Sequence, residues 1–280
     1  MNNFTLIAPE GDINLHTHTY YCDGLDSPRE MAEKAVSLGL KVLGFSGHGY
    51  APYDLDCCMT EENEAVYVRE IMELKKEFAG QLDIRLGVEH DCLSGRGYFG
   101  KDAPGGKPFD YSIGSVHYIE ADGEILCIDA GSALLERICE EHFRGDFRSL
   151  VEKYYETAAR VVELTGADIV GHFDLITKFN SGSRYFSEQS PWYRELSAAA
   201  ALKAFGTLRE PHAGIVDIIG RDPHPVFEIN TGAMAKGLRD VPYPSEFLVS
   251  YLAEKGARFV LSSDCHNKAF LRYGFDRFIR

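Results

Sequence analysis

Leu261-Ser262-Ser263-Asp264-Cys265-His266 decides how the rest of the chain is read. The residues before it, Arg258-Phe259-Val260, are short and mostly apolar and follow Gly256, which predicts a strand buried on both faces. At its exit a carboxylate and an imidazole stand two residues apart, where a strand puts them on one side and a loop can bend them towards one point. A second such pair, His16-Thr17-His18, follows the apolar Ile13-Asn14-Leu15 near the other end of the chain.

Between these ends one order recurs. Ser27-Pro28-Arg29-Glu30 forms a capping box with proline at the first helical position, Met31, Ala32, Ala35, Val36 and Leu38 follow at helical spacing, and Gly39 suits the left-handed C-terminal position. A strand over 40–45 then ends in Ser46-Gly47-His48. The same helix, glycine, strand and ligand return at Gly166, Ala167 to Val170 and His172 with Asp174, and again at Phe247 to Lys255, Gly256 and Asp264 with His266. Repeated units of this kind predict a parallel sheet covered by helices, with functional groups at the carboxyl ends of the strands, and six or seven units would close a barrel. Further strands are expected over 84–89, ending in Glu89, over 111–117, ending in His117, and over 226–230. Helices are expected over 60–78, over 149–164, and across the alanine-rich 190–220 with an interruption near Pro211. Glycine-rich loops at 94–100 and 103–107 are candidates for a rim or lid.

The 280 residues fit one α/β barrel, and neither low-complexity runs nor linker-like stretches divide them, so a single domain over 1–280 is expected. A net charge of −14 opposes nucleic acid and anionic membranes and favours a small diffusible ligand. The start of the chain has no basic segment followed by an apolar run, and no stretch reaches ~18 apolar residues, so a cytoplasmic protein, monomeric or homodimeric, is expected. Seven cysteines without a C-x-x-C pair argue against a disulfide framework or a zinc finger; Cys22 and Cys265 merely adjoin candidate ligands.

The polar groups collected at strand exits and in the loop after the first strand are His16, His18, Asp23, His48, Glu89, His117, His172, Asp264 and His266. A single histidine after a strand is more often a hydrogen-bonded structural residue, but six of the ten histidines in this pattern point to metal. Mixed imidazole and carboxylate ligands suit Zn²⁺, Fe²⁺ or Mn²⁺ without choosing among them.

In this order the motifs H-T-H at 16–18, C-D-G with Asp23, S-G-H ending at His48, G-V-E ending at Glu89, G-S-V-H ending at His117, G-H-F-D at 171–174 and S-D-C-H at 263–266 resemble the PHP (polymerase and histidinol phosphatase) family. The resemblance implies a distorted (β/α)7 barrel with a trinuclear metal site. It implies His16, His18, Glu89 and Asp264 on one ion, Glu89 bridging to a second held by His117 and His172, and Asp23, His48 and His266 on a third. Members of the family commonly carry histidine where this chain has Asp23. A hydroxide bridging two divalent ions would attack a phosphomonoester whose oxygens reach the third ion. The stretches Gly87-Val-Glu-His-Asp, Gly171-His-Phe-Asp-Leu-Ile-Thr-Lys-Phe, Phe227-Glu-Ile-Asn-Thr-Gly, Lys236-Gly-Leu and Tyr243-Pro are most similar to members that hydrolyse L-histidinol phosphate. Glu89, Asp264, His266 and Asp174 are the candidate catalytic residues. Asp174, or a ligand carboxylate such as Asp264, is a candidate donor of the proton that the leaving group needs, and Asp174 is equally a candidate for orienting His172 or a neighbour. Lys178, Arg184, Asn230, Lys236 and Arg239 are candidates for binding substrate or phosphate, and Asp91 or Glu228 for receiving its amine and imidazole. Other phosphate esters, or a metal-binding module without turnover, are the rival readings.

Overall fold

Ser27 caps the first helix, α1 (Pro28–Ser37), through the reciprocal pair with Glu30, and the helix buries Met31, Ala32 and Ala35. Gly39 (φ +72°) and Gly256 (φ +90°) occupy the left-handed conformation that turns a helix end directly into a strand. These local signals assemble, in this computed structural model, into a barrel; residues 4–93 and 109–279 are described, so the glycine-rich loops at 94–100 and 103–107 lie outside the described residues.

The strands are β1 (Thr5–Ile7), β2 (Ile13–Asn14), β3 (Val42–Phe45), β4 (Asp83–Asp91), β5 (Tyr111–Ser115), β6 (Tyr118–Ala121), β7 (Glu124–Cys127), β8 (Ile169–Val170), β9 (Val226–Asn230) and β10 (Arg258–Ser262). The large sheet runs β1-β10-β9-β8-β5-β4-β3-β2, with all neighbours parallel. It closes on itself where Thr17 bridges Cys265 and the His18 amide donates to the Cys265 carbonyl at 3.0 Å. The ring therefore contains β2, β3, β4, β5, β8, β9 and β10, with β1 attached beside the first half of β10. This seven-membered ring falls within the six or seven units that the repeats predict and is the distorted barrel that the family resemblance implies.

Leu15, Val42, Tyr111, Ile113, Ile169, Val226 and Val260 fill the barrel's lower interior. Tyr111 crosses it and donates its hydroxyl to the Leu15 carbonyl. Gly44 and Gly87 leave the room it needs, since a Cβ on either would stand 2.2 Å from the tyrosine. Outside, α1 and α2 (Glu61–Glu77) cover one arc, and α4 (Phe147–Ala158), α6 (Pro191–Gly206) and α9 (Glu246–Glu254) pack together on another.

One helical expectation differs in detail. The segment 149–164 is two pieces, because Arg160 (φ −110°, ψ 6°) leaves the helical region between α4 and α5 (Val161–Thr165). The break lets Tyr154 and Tyr155 pack towards α6 while Val161, Val162 and Thr165 lie on β5. The segment 190–220 follows its expectation: it is helical to Gly206, is interrupted where Thr207 is extended and Pro211 restricts the residue before it, and becomes helical again over 213–215 and α7 (Val216–Ile219). An antiparallel hairpin, β6–β7, turns at Asp122-Gly123, both in left-handed conformation, and was not anticipated from the sequence.

Candidate metal centre

Because the seven ring strands are parallel, their carboxyl ends form one rim. β2 delivers His16 and His18, β3 His48, β4 Glu89 and Asp91, β5 His117, β8 His172, and β10 Asp264 and His266. Asp23 comes from the loop after β2. Asp264 adopts φ +47°, a conformation that aspartate tolerates better than most residues and that is common where function constrains the backbone. Its turn aims the carboxylate at the histidines of β2.

Glu89 is the centre. Its Oε2 lies 3.1 Å from His16 Nε2, 3.5 Å from His18 Nε2 and 3.2 Å from His48 Nδ1, while its Oε1 lies 3.1 Å from His172 Nε2 and 3.6 Å from His117 Nε2. Asp264 Oδ1 stands 3.6 Å from His16 Nε2 and 3.1 Å from His18 Nε2. Asp23 lies against His266 Nε2 at 3.0 Å and His48 Nε2 at 3.8 Å, and its other neighbour is His18 Nδ1 at 3.4 Å. All nine side chains thus converge on one end of the barrel.

His172 Nε2 and Glu89 Oε1 are within hydrogen-bonding geometry, but others crowd one another without bonding: His16 Nε2, His18 Nε2, Asp23 Oδ1 and Glu89 Oε2 are buried and have no hydrogen-bond partner among the described residues. Two ligands of one zinc ion, each at about 2.0–2.2 Å, stand roughly 2.9–3.5 Å apart. The separations here are those of ligand pairs, and four overlapping groups offer donor atoms to ions: His18/Asp23/His48/His266, His16/His172/Asp264, His16/His18/Glu89 and His48/Glu89/His117. The donor set fits divalent metal.

Charge supports the same conclusion. Burial alone would lower the histidine pKa values, but Glu89 and Asp23 raise His48 to about 9, and Asp91 with Glu89 raises His117 to about 10. Burial would raise Glu89, yet His16, His48 and His117 hold it well below the usual carboxylate range. His266, stacked on His18 with ring centroids 4.1 Å apart, is pushed down by burial and by that neighbour. The pocket demands positive charge, and divalent ions satisfy that demand by displacing protons.

Two carboxylates orient the ligands. Glu228 accepts from His16 Nδ1 at 2.8 Å and from the His172 amide, and Asp91 accepts from His117 Nδ1 at 3.1 Å and from the His117 amide at 2.9 Å. Both were expected to receive a substrate amine or imidazole; instead Glu228 is fully buried and both are committed to histidines. Strand parity carried this signal, because Asp91 shares a face of β4 with Glu89 and Glu228 shares a face of β9 with Asn230.

A cavity of about 260 Å³ opens over the cluster, with Lys178, Lys236, Asp54, Asp129, Tyr118 and Tyr243 in its wall beside the ligands. Lys178 Nζ pairs with Asp129 at 2.9 Å, and Lys236 Nζ lies 3.5 Å from His266 Nδ1. The other proposed phosphate contacts lie elsewhere. Arg184 is half-exposed and paired with Glu136 at 2.6 Å, and Arg239 is buried, donating to the Thr177 carbonyl at 2.8 Å and facing Glu188. Neither lines the cavity. Asn230 donates to Glu228 at 2.8 Å and accepts from the Gly232 amide, so it braces the cluster from behind. Asp174 accepts from the Ser245 amide at 2.8 Å, lies outside the cavity wall, and does not reach His172 Nδ1, which has no hydrogen-bond partner among the described residues. Burial raises its pKa to about 6. Cys22 Sγ lies 3.5 Å from His18 Nδ1, and Cys57 Sγ lies 3.5 Å from Asp23. No helix among the described residues is long and apolar enough to cross a membrane.

Comparison with known proteins agrees with this geometry. A "Probable histidinol-phosphatase" of Deinococcus radiodurans is 31% identical over 263 residues, covering 93% of this chain and 88% of the relative. The histidinol-phosphatase of Bacillus subtilis is 26% identical over 282 residues, covering 94% and 97%. Among solved structures, a candidate histidinol phosphatase of Listeria monocytogenes superposes with a TM-score of 0.74 at 22% identity, over 95% of this chain and 99% of that one. The histidinol phosphate phosphatase of Lactococcus lactis, solved with zinc, L-histidinol and phosphate, gives 0.63 at 21% identity, over 98% and 92%. These two likenesses establish the fold. The PHP domain model matches residues 14–207, which, with the relative of 31% identity, makes this chain a member of the PHP family.

Proposed function

We propose that this chain is a metal-dependent phosphomonoesterase that hydrolyses L-histidinol phosphate to L-histidinol and phosphate, a step of histidine biosynthesis. The observation that carries the reading is Glu89, one carboxylate whose two oxygens face two different sets of histidines within 3.1–3.6 Å. The full-length relatives named histidinol-phosphatase, and the Lactococcus structure with zinc, L-histidinol and phosphate, support the choice of substrate.

His16, His18, Glu89 and Asp264 would hold one ion, Glu89, His117 and His172 a second, and Asp23, His48 and His266 a third. Divalent ions held there would supply a nucleophilic water at neutral pH and neutralise charge on the phosphate oxygens. The chain's own residues do the rest. Glu228 and Asp91 fix the tautomers and ring directions of His16 and His117, so the donor atoms face inward before substrate arrives. Lys178 and Lys236, the cations of the cavity wall among the described residues, would draw in and orient the phosphate. Asp129 holds Lys178 charged and in place: burial lowers the lysine pKa and Asp129 more than reverses it. We assign the whole chain, 1–280, to one cytoplasmic domain that acts as a monomer or homodimer.

The test is phosphate release from L-histidinol phosphate beside p-nitrophenyl phosphate and a panel of sugar and nucleotide monophosphates. The reading predicts that L-histidinol phosphate leads in kcat/KM by orders of magnitude. A lead for another ester would leave the chemistry and change the substrate.

A further inference from the structure

Tyr243 is 2% exposed, and its hydroxyl has no hydrogen-bond partner among the described residues. That is unusual, since a buried phenol normally finds an acceptor and leaving it unpaired is unfavourable. The other large buried tyrosines show the normal arrangement. Tyr67 donates to the Gly87 carbonyl at 2.9 Å, Tyr154 donates to the Phe173 carbonyl at 3.0 Å, and Tyr155 and Tyr193 bond to each other at 2.9 Å.

The position of Tyr243 explains what its hydroxyl awaits. The ring stands edge-on to the ligand His172, with centroids 6.3 Å apart, and the Arg239 guanidinium covers it at 5.1 Å from the centroid. The side chain lines the cavity over the cluster together with Lys178, Lys236 and Asp264. Its backbone is tied to β9, since the Tyr243 amide donates to the Asn230 carbonyl at 3.0 Å and the Asn230 amide to the Tyr243 carbonyl at 2.7 Å. The phenol is therefore held rigidly in the cavity wall at the edge of the metal centre, with its hydroxyl buried and unpartnered among the described residues.

We infer that the Tyr243 hydroxyl is a substrate-binding group, donating a hydrogen bond to an oxygen of the phosphoryl group lodged between the ions and Lys178. This rests on the reading that the cavity binds a phosphate ester, and it adds a neutral donor to the metal and lysine contacts. Burial raises the phenol pKa above its usual value, so the group keeps its proton at working pH and acts as a donor. An anionic oxygen is the acceptor that rewards such a donor most, because hydrogen bonds to charged groups are about twice as strong as neutral ones.

The test uses Zn²⁺-loaded protein and inorganic phosphate, the product, measured by calorimetric titration. Tyr243→Phe is expected to weaken phosphate binding at least about tenfold. Its Tm should equal or exceed that of the parent, because the lost hydroxyl had no internal partner. Tyr154→Phe should behave in the opposite way, lowering Tm while leaving phosphate affinity unchanged. Equal phosphate affinity of Tyr243→Phe and the parent would overturn the inference alone. A Tm several degrees lower for Tyr243→Phe, or failure to fold, would mean that the hydroxyl has an internal partner and would also overturn it. Absence of phosphate binding by the metal-loaded parent would overturn the inference together with the phosphatase reading.

Discussion

The two ends of the barrel are built from the same seven strands, yet they are stabilised in opposite ways. The lower interior is apolar and closed: Tyr111, Leu15, Val42, Ile113, Ile169, Val226 and Val260 meet around one satisfied hydroxyl. The upper interior packs six imidazoles and three carboxylates whose donor atoms lie 3.0–3.8 Å apart, several without a hydrogen bond. Dispersion and water exclusion suffice below. Above, buried charge is tolerated because it is paired and because metal can complete it. The lower end therefore determines whether the chain folds and the upper end what the fold can do, and substitutions should separate the two.

The largest expected effect on function is at the bridge. Glu89→Ala should lose metal and turn over phosphate ester about 10³-fold more slowly or worse, because several kcal/mol of charge stabilisation depends on the ions it holds. Metal analysis beside kcat would check this, and retained metal with retained activity would remove Glu89 from the centre. In the lower interior, Tyr111→Ala should destabilise the fold by about 3–5 kcal/mol through the cavity it leaves, with metal content per folded molecule unchanged. Denaturant titration with metal analysis separates these outcomes.

A smaller effect is expected from the carboxylates behind the ligands. Glu228→Gln or Asp91→Asn should cost about 10–100-fold in metal affinity or activity while the fold persists, measured by competition with a chelator. If neither matters, the imidazoles are oriented by the backbone alone.

Proton linkage gives the next contrast. In metal-free protein His48 and His117 have pKa values raised to about 9 and about 10 from 6.5, so their contribution to stability is complete below about pH 6.5 and is lost as pH rises through 9–10. Metal binding requires the neutral rings, so the stabilisation conferred by metal should grow over the same interval. Thermal melts with and without Zn²⁺ should diverge from pH 6.5 to 9; parallel curves would contradict the linkage. The smallest effect is expected at Asp23→His, which restores the residue common in the family and should leave turnover within a few-fold while changing affinity at the third ion.

The same contrast explains what was legible in the sequence. Strand exits are short-range features, so histidines after Phe45, Ser115 and Val170 could be read from apolar runs and helix-ending glycines. A barrel of six or seven units followed from the helix, glycine, strand repeat, and the family resemblance implied seven. Partnerships set by distant residues were not legible: Arg184 and Arg239 looked free in sequence, but Glu136 and Glu188 neutralise them in space. Asp174 accepts from the amide of Ser245 at the start of α9, a partner far away in sequence. Tyr243 stood in the sequence only within the family-like Tyr243-Pro stretch, since a missing partner is a property of the assembled interior. The hairpin β6–β7 and the loop after it, which bring Tyr118, Cys127 and Asp129 to the cavity, were missed although Asp122-Gly123 announced the turn.

The most direct test of metal-dependent phosphate ester hydrolysis is to strip the protein of metal, add Zn²⁺, Fe²⁺ or Mn²⁺ in steps, and follow phosphate release from L-histidinol phosphate. The account predicts no turnover in the stripped protein and a rise to a plateau at about three ions per chain, as the proposed assignment of ligands to three ions requires. Turnover that survives complete removal of metal, or a full complement of ions with no phosphate released, would contradict it.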